Sequence, residues 1–354
     1  MKGLAFGLIL PIASCLASTP GEEPLGLVLG GGGAKGAYQV GVWETLVEEG
    51  FAPRIKAFSG TSVGAINSAL FATCSDTGRM ERVWLESLPK VMVPNETRVR
   101  DVLQSIGEGM DEPYLAELAK ELAWRAELSG VSVSDFSKEE LDAIAEGVAL
   151  RRSGASIRGA LNRMLEEALR IVDATNAVAG FVDSNALRSL VRDNIPDQWP
   201  AGTPPAYATS LEKGTWKLVS WRLNDQPPEK RVEMILSSAA IPVAFDSVVV
   251  DGAAHVDGGW DEKGGDNAPI GPIVENHPEI KTVLVVYLND PKHVTGRIDK
   301  NRYPDLNIVE IFPSRDIGQW ITGSLNFDTD KAWHLIELGR SDARKVLEKA
   351  GMTE

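Results

Sequence analysis

The sequence predicts an α/β protein, three-layered α/β/α around a mainly parallel central sheet. Order along the chain is the first reason. An apolar run of strand length, a glycine turn and a helical pattern occur in succession near the start, and then the same succession occurs again. The second reason lies downstream, where strand signals return after residue 205 and reach a continuous β-branched run at 281–288. Strands that alternate with helices call for parallel pairing, because each crossover returns the chain through a helix.

The elements follow in order. Leu25-Gly26-Leu27-Val28-Leu29 is a compact apolar run flanked by glycine, a buried strand. Gly30, Gly31, Gly32 and Gly33 then lead through Ala34 and Lys35 to Gly36. Over 37–49, Val40, Val42, Trp43, Leu46 and Val47 are spaced for one buried helical face, and Gly50 is a helix stop. Residues 55–58 read as a second strand, 59–64 as a turn and 65–74 as a second helix. Residues 80–195 read as mostly helical, with stripes through Leu115, Leu118 and Leu122 and through Ile157, Leu161 and Leu169. Strands are expected at 206–209, 216–221, 247–250 and 281–288, and a helix at 332–350. No repeat or low-complexity linker interrupts residues 25–350, so a single domain is expected over 21–354, with a helical insertion at about 90–175.

Composition excludes several classes. Of 354 residues 43% are hydrophobic and 24% charged, enough apolar material for a sizeable core and too much for a disordered chain. Lys plus Arg is 36 against 50 Asp plus Glu, a net charge of -14. Without a basic block such a chain is a poor partner for nucleic acid, which needs clustered cations against its phosphates. The two cysteines, Cys15 and Cys74, exclude a disulfide scaffold and a multi-cysteine zinc site.

The N-terminus reads as an export signal over residues 1–20: Lys2, an apolar run over 4–13, then small and polar residues. The run is too short to span a bilayer of ~30 Å. Ile12-Ala13-Ser14-Cys15 resembles a bacterial lipoprotein box, which would make Cys15 the lipidated residue; the alternative is an ordinary cut near Ala17 or Ser18. Either way the expected location is outside the cytoplasm, as a periplasmic or outer-membrane lipoprotein or a secreted protein.

Two segments carry candidate chemistry. Gly31-Gly32-Gly33-Ala34-Lys35-Gly36 lies between a strand and a helix, where backbone N–H groups can converge on an anion. Three ligands fit such a loop: a dinucleotide pyrophosphate, a nucleotide phosphate or a catalytic oxyanion. A dinucleotide site expects an acid at the end of the second strand, and 55–58 holds none. A P-loop needs Gly-Lys-Ser/Thr, and here Lys35 precedes Gly36 and Ala37. The oxyanion reading survives best. Gly60-Thr61-Ser62-Val63-Gly64 then matches G-x-S-x-G, the turn that lifts a nucleophilic serine clear of a sheet, and it lies between a strand and a helix as that turn requires. A serine nucleophile needs a base. Of four histidines, His277 and His293 read as surface loop residues and His334 lies on the last helix. His255 stands near Asp257-Gly258-Gly259, a sequence that by itself is more often a tight turn than a catalytic carboxylate.

In combination these motifs resemble the patatin-like phospholipases. Gly-Thr-Ser-Val-Gly follows the glycine loop by about 25 residues, a distant Asp-Gly-Gly follows that, and the flanks at 237–245 and 266–270 match as well. The likeness is clear over 25–75 and 180–290. It implies a Ser–Asp dyad, with Ser62 as nucleophile and Asp257 as base. It implies an oxyanion hole from the N–H groups of Gly31, Gly32 and Gly33, with Lys35 where the family carries Lys or Arg, and neither metal nor organic cofactor. The implied substrate is a lipid acyl ester met at a membrane surface. The competing expectation is a non-catalytic lipid-binding or scaffold protein on the same fold.

Overall fold

The computed structural model describes residues 23–92 and 184–353, apart from 242–244, 261–262, 295, 319–323 and 325–326. Cys15, the expected export signal, all but the first residues of the insertion expected at about 90–175, and the stripes through Leu115 and Leu161 lie outside the described residues.

The first apolar run forms β1 (Leu25–Leu29), buried at every position. α1 (Ala37–Glu48) carries the chain to β2 (Ile55–Thr61), and α2 (Val63–Thr73) follows at once. α3 (Thr77–Arg82) continues through a π turn at Val83–Ser87 into α4 (Leu88–Val91). After α5 (Ser184–Asn194) come β3 (Ala206–Glu212), β4 (Lys217–Arg222) and α6 (Pro228–Ser238). β5 (Val248–Val250), β6 (Ala253–Asp257), α7 (Gly271–Asn276), β7 (Thr282–Val286), β8 (Asn307–Ile311) and α8 (Thr329–Lys349) complete the described elements.

The sheet runs β5-β6-β3-β2-β1-β7-β8, with β4 also pairing β3. β3, β2, β1, β7 and β8 are parallel, and β4, β6 and β5 add antiparallel pairs at one side. Side chains alternate across a strand, so β1 supplies two cores. Leu25, Leu27 and Leu29 face the larger one, with Trp43, Phe58 and Phe71. Val28 faces the other, with Ala57, Ile273, Val283 and Val285. Trp43 stacks on Phe71 at 5.0 Å and meets Phe58 edge-on at 5.7 Å.

Several expectations change. The turn expected at 59–64 narrows to one residue, because β2 continues to Thr61 and α2 begins at Val63. Parallel pairing on both edges keeps Ser59 and Gly60 extended. α1 shows no single buried face: it is buried all round from Ala37 to Leu46. α8 lies across it so closely that a methyl on Gly41 or Gly339 would run into the backbone of the other helix. β6, β8, α6 and α7 were not legible as elements. Cys74 is half-buried against the main core.

Candidate active site

Open parallel sheets bind ligands beyond the carboxyl ends of their strands. Ser62 occupies that place at the end of β2. Its backbone lies at φ 58, ψ -128, a conformation that L residues rarely adopt. The turn is tight enough that Gly60 packs on the Gly64 carbonyl and Gly64 on the Leu29 carbonyl, leaving no room for a Cβ at either. Ser62 N–H donates to Ser238 Oγ at 2.9 Å, and Ser238 Oγ donates to Thr209 O at 2.5 Å. The elbow is thereby pinned to α6 and β3.

Register brings Asp257 to the same point. β2 pairs with the first part of β3, ending at Thr61 opposite Thr209. β6 pairs antiparallel with the last part, ending at Asp257 opposite Ser210. The two strands therefore approach end to end along β3, and their terminal residues meet where one pairing stops and the other starts. Gly258 continues this contact, sitting against the Thr209 carbonyl where a Cβ would clash.

Ser62 and Asp257 are both buried, at 4% and 7% exposure. Burial raises the Asp257 pKa to about 6, against the opposing pull of hydrogen bonding from the Ser62 hydroxyl and the Gly259 N–H. The Gly259 N–H donates to Oδ1 at 2.8 Å. Oδ2 is buried with no hydrogen-bond partner among the described residues. Catalytic hydrogen bonds that are poorly aligned in the free enzyme often tighten when substrate docks.

The glycine loop closes the third side. A Cβ on Gly31 would lie 3.0 Å from Ser62 Cβ, which places the loop directly on the serine. Gly31 N–H is committed to Asn267, at 3.2 Å to its carbonyl and 3.1 Å to Oδ1. Among the described residues no partner takes the N–H of Gly32 or Gly33, so the donors able to face an anion narrow to those two. Gly33 holds φ 54, reversing the chain into the 3-10 turn Gly33–Gly36. Behind the loop runs a buried polar chain. Gln39 Nε2 donates to Gly30 O at 2.7 Å, Asn67 Nδ2 to Gln39 Oε1 at 2.8 Å and to Gly36 O at 3.1 Å, and Trp84 Nε1 to Asn67 Oδ1 at 3.1 Å. Lys35 is buried under the loop and donates to Asn289 Oδ1 at 2.5 Å. Burial, then Lys331, lowers its pKa to about 8.

His255 is not part of this cluster. It is buried against Trp221, with Nδ1 3.2 Å from Ser210 Oγ, and burial lowers its pKa. His277 is half-buried on the Tyr207 hydroxyl at 3.0 Å, His293 pairs with Asp290, and His334 bonds the Asp330 carbonyl. Among the described residues no group of three His, Cys, Asp or Glu could hold a metal ion.

Sequence reasoning placed Gly31, Gly32, Gly33, Lys35, Gly36, Gly60, Ser62, Gly64, Asp257, Gly258 and Gly259 around one point, and the structure brings them together. It missed Asn267, Ser238, Gln39, Asn67 and Asn289, whose partners are distant in sequence. The segment around Asn267 carried a family likeness but no sign of its role.

These features define a class: α/β proteins in which a serine on a strained strand-to-helix turn faces a glycine loop and a buried carboxylate. More particularly, the chain belongs to the patatin-like phospholipase family, whose model matches residues 27–279. Lysophospholipase NTE1 of Coccidioides immitis is 28% identical over 224 residues, which is 56% of this chain and 13% of that protein. An uncharacterized NTE family protein of Mycobacterium bovis, Mb2594, is 52% identical over 63 residues, 18% of this chain and 10% of its own length. The chain thus spans a small part of the curated relatives it matches. Among solved structures, VipD from Legionella pneumophila aligns with a TM-score of 0.46 and 16% identity, over 93% of this chain and 67% of that one. The ExoU–SpcU complex from the type III secretion system of Pseudomonas aeruginosa aligns at 0.38 with 18% identity, over 93% and 52%.

Proposed function

We propose that this chain hydrolyses acyl esters of lipids, phospholipids or lysophospholipids among them, through a Ser62–Asp257 dyad. The observation that carries the reading is the end-to-end meeting of β2 and β6 on β3, which buries a serine and a carboxylate side by side. Family membership and the lysophospholipase name of its relatives supply the substrate class.

Asp257 takes the Ser62 proton as Oγ attacks the ester carbonyl. The oxyanion that forms is met by the N–H groups of Gly32 and Gly33, with the positive end of α2 beneath, each donor worth on the order of 3 kcal/mol. The protonated Asp257 then gives its proton to the departing alkoxide. Water enters, Asp257 accepts its proton as the hydroxide adds to the acyl carbonyl, and Asp257 returns that proton to the departing Ser62 Oγ as the fatty acid is released. Lys35, held on Asn289, keeps a positive charge under the loop. Every proton lost by one group is gained by another within the site, so no metal or organic cofactor is called for in this reading. The chain is further proposed to be one domain with a helical insertion, exported on its N-terminal signal and lipidated at Cys15.

Release of p-nitrophenol from acyl esters by wild type and Ser62→Ala tests the reading. The mutant is expected to lose at least about 1,000-fold in rate with its circular dichroism unchanged. Equal rates, or no turnover by either protein, would leave the glycine loop as a non-catalytic lipid-binding feature.

A further inference from the structure

A second surface stands beside the site. Beyond Thr209, β3 continues through Ser210, Leu211 and Glu212, about 10 Å past the level of Ser62. It then turns over residues 213–216 into β4, while β5 and β6 turn at Asp251 and Gly252. Both hairpins therefore project from the sheet end at which a substrate would arrive.

One face of these hairpins is apolar. Leu211 lies opposite Leu218 of β4 and Val256 of β6, and Val249 lies opposite Ala254, so register puts all of them on one face. Leu211 and Val256 are buried, whereas the flanking Leu218 and Val249 are exposed at 37% and 61%. Next to them Trp216 and Trp260 meet edge to face at 5.4 Å, and Lys263 Nζ lies 4.6 Å from the first ring and 5.7 Å from the second. Trp260 is three residues from Asp257. Trp216 holds φ 55, a left-handed conformation that is strained for any residue with a Cβ. Glycine or asparagine would make the same turn without that strain, so the turn itself does not explain the indole.

We propose that these hairpins seat the protein on a phospholipid bilayer. Trp216, Trp260, Leu218 and Val249 would enter the boundary between headgroups and acyl chains, where indoles partition. Lys213 and Lys217 flank Trp216 and meet the phosphates, in a hairpin with two lysines against Glu212 on a chain of net charge -14. Asp251, at the other tip, is paired with Lys230 at 2.8 Å. Because Trp260 belongs to the Asp257 loop, docking sets the mouth of the site on the lipid it draws from. The inference rests on the lipid-ester reading and adds to it the surface through which the substrate is reached.

The test uses wild type, the double variant Trp216→Asn/Leu218→Ser, and Val249→Ser on a separate strand. Each is measured for cosedimentation with phosphatidylcholine–phosphatidylglycerol vesicles, for fatty-acid release from those vesicles, and for turnover of water-soluble p-nitrophenyl butyrate. The double variant is expected to lose at least about tenfold in vesicle binding and vesicle hydrolysis, and Val249→Ser a smaller factor. Butyrate turnover should stay within about twofold of wild type, which also reports an intact fold. Wild type that fails to bind vesicles, or a double variant that binds as well as wild type, would overturn the docking surface. An equal fall on butyrate and on vesicles would overturn it too, since Trp216 would then act by positioning the Asp257 loop. Wild type that binds vesicles but turns over neither substrate would instead sink the hydrolase reading and leave docking standing.

Discussion

Asp257 is held in the proton-binding direction by its own burial. Its pKa near 6 means that the base form populates as pH rises through that value, so kcat/KM for an ester should climb between about pH 5 and 7 and then level. A rate that stays flat down to pH 4 would contradict the assignment. The same burial has a stability consequence. The folded pKa is raised above the ordinary 3.8, so the folded state binds the proton more tightly than the unfolded state does, and stability falls as pH climbs from about 4 to 6. The loss is on the order of 3 kcal/mol, the free energy that separates a pKa of 3.8 from one of about 6. Asp257→Asn, which carries no charge to bury, should therefore melt above wild type at pH 7.5 while losing nearly all activity. A lower melting temperature at that pH would show that the carboxylate contributes to the fold instead of straining it. His255 is engaged with Ser210 and Trp221, so His255→Ala should keep more than about a tenth of wild-type turnover. A loss as large as that of Ser62→Ala would put a triad in place of the dyad.

At the scale of elements, the site is a product of strand register. Ser62 was legible because G-x-S-x-G between a strand and a helix is a local pattern with a local cause. Asp257 is legible only through the resemblance, since residues 253–257 carry too weak a strand pattern to stand out and their pairing with Ser210 spans 47 residues. β8 escaped notice because Glu310 interrupts its apolar run; in the fold Arg297 pairs with that carboxylate at 2.7 Å and Lys300 at 3.0 Å. The supports of the glycine loop were illegible for a similar reason. Asn267 is 236 residues from Gly31, and no sequence pattern marks an asparagine that will hold a loop across that distance. Its amide bonds the loop proposed to carry the oxyanion donors. Asn267→Ala is therefore expected to lower kcat by about 10- to 100-fold with little change in KM, the signature of a misplaced transition-state contact. An unchanged kcat would mean that the Gly30 and Gly31 backbone holds the loop unaided.

At the scale of the molecule, parallel order was readable from the alternation of strands and helices, and it decides where chemistry can sit. The carboxyl ends of β1 and β2 deliver the glycine loop and Ser62 to one end of the sheet. Of the antiparallel strands at that side, β4 and β5 show as strand signals in the sequence and β6 does not, and it is the reversed β6 that supplies the carboxylate. Long-range packing also turns α1 from an expected one-faced helix into one buried all round from Ala37 to Leu46, since α8 closes over it through Gly41 and Gly339. In the proposed reaction these converging elements make Ser62 the activated nucleophile and Asp257 its base. Fluorophosphonate labelling of the folded protein, with the adduct located by mass spectrometry, tests it most directly. The expected result is a single adduct on Ser62 that forms at least about 100-fold more slowly in Asp257→Asn. An adduct on another serine, such as Ser238, or equal labelling rates in the two proteins, would contradict it.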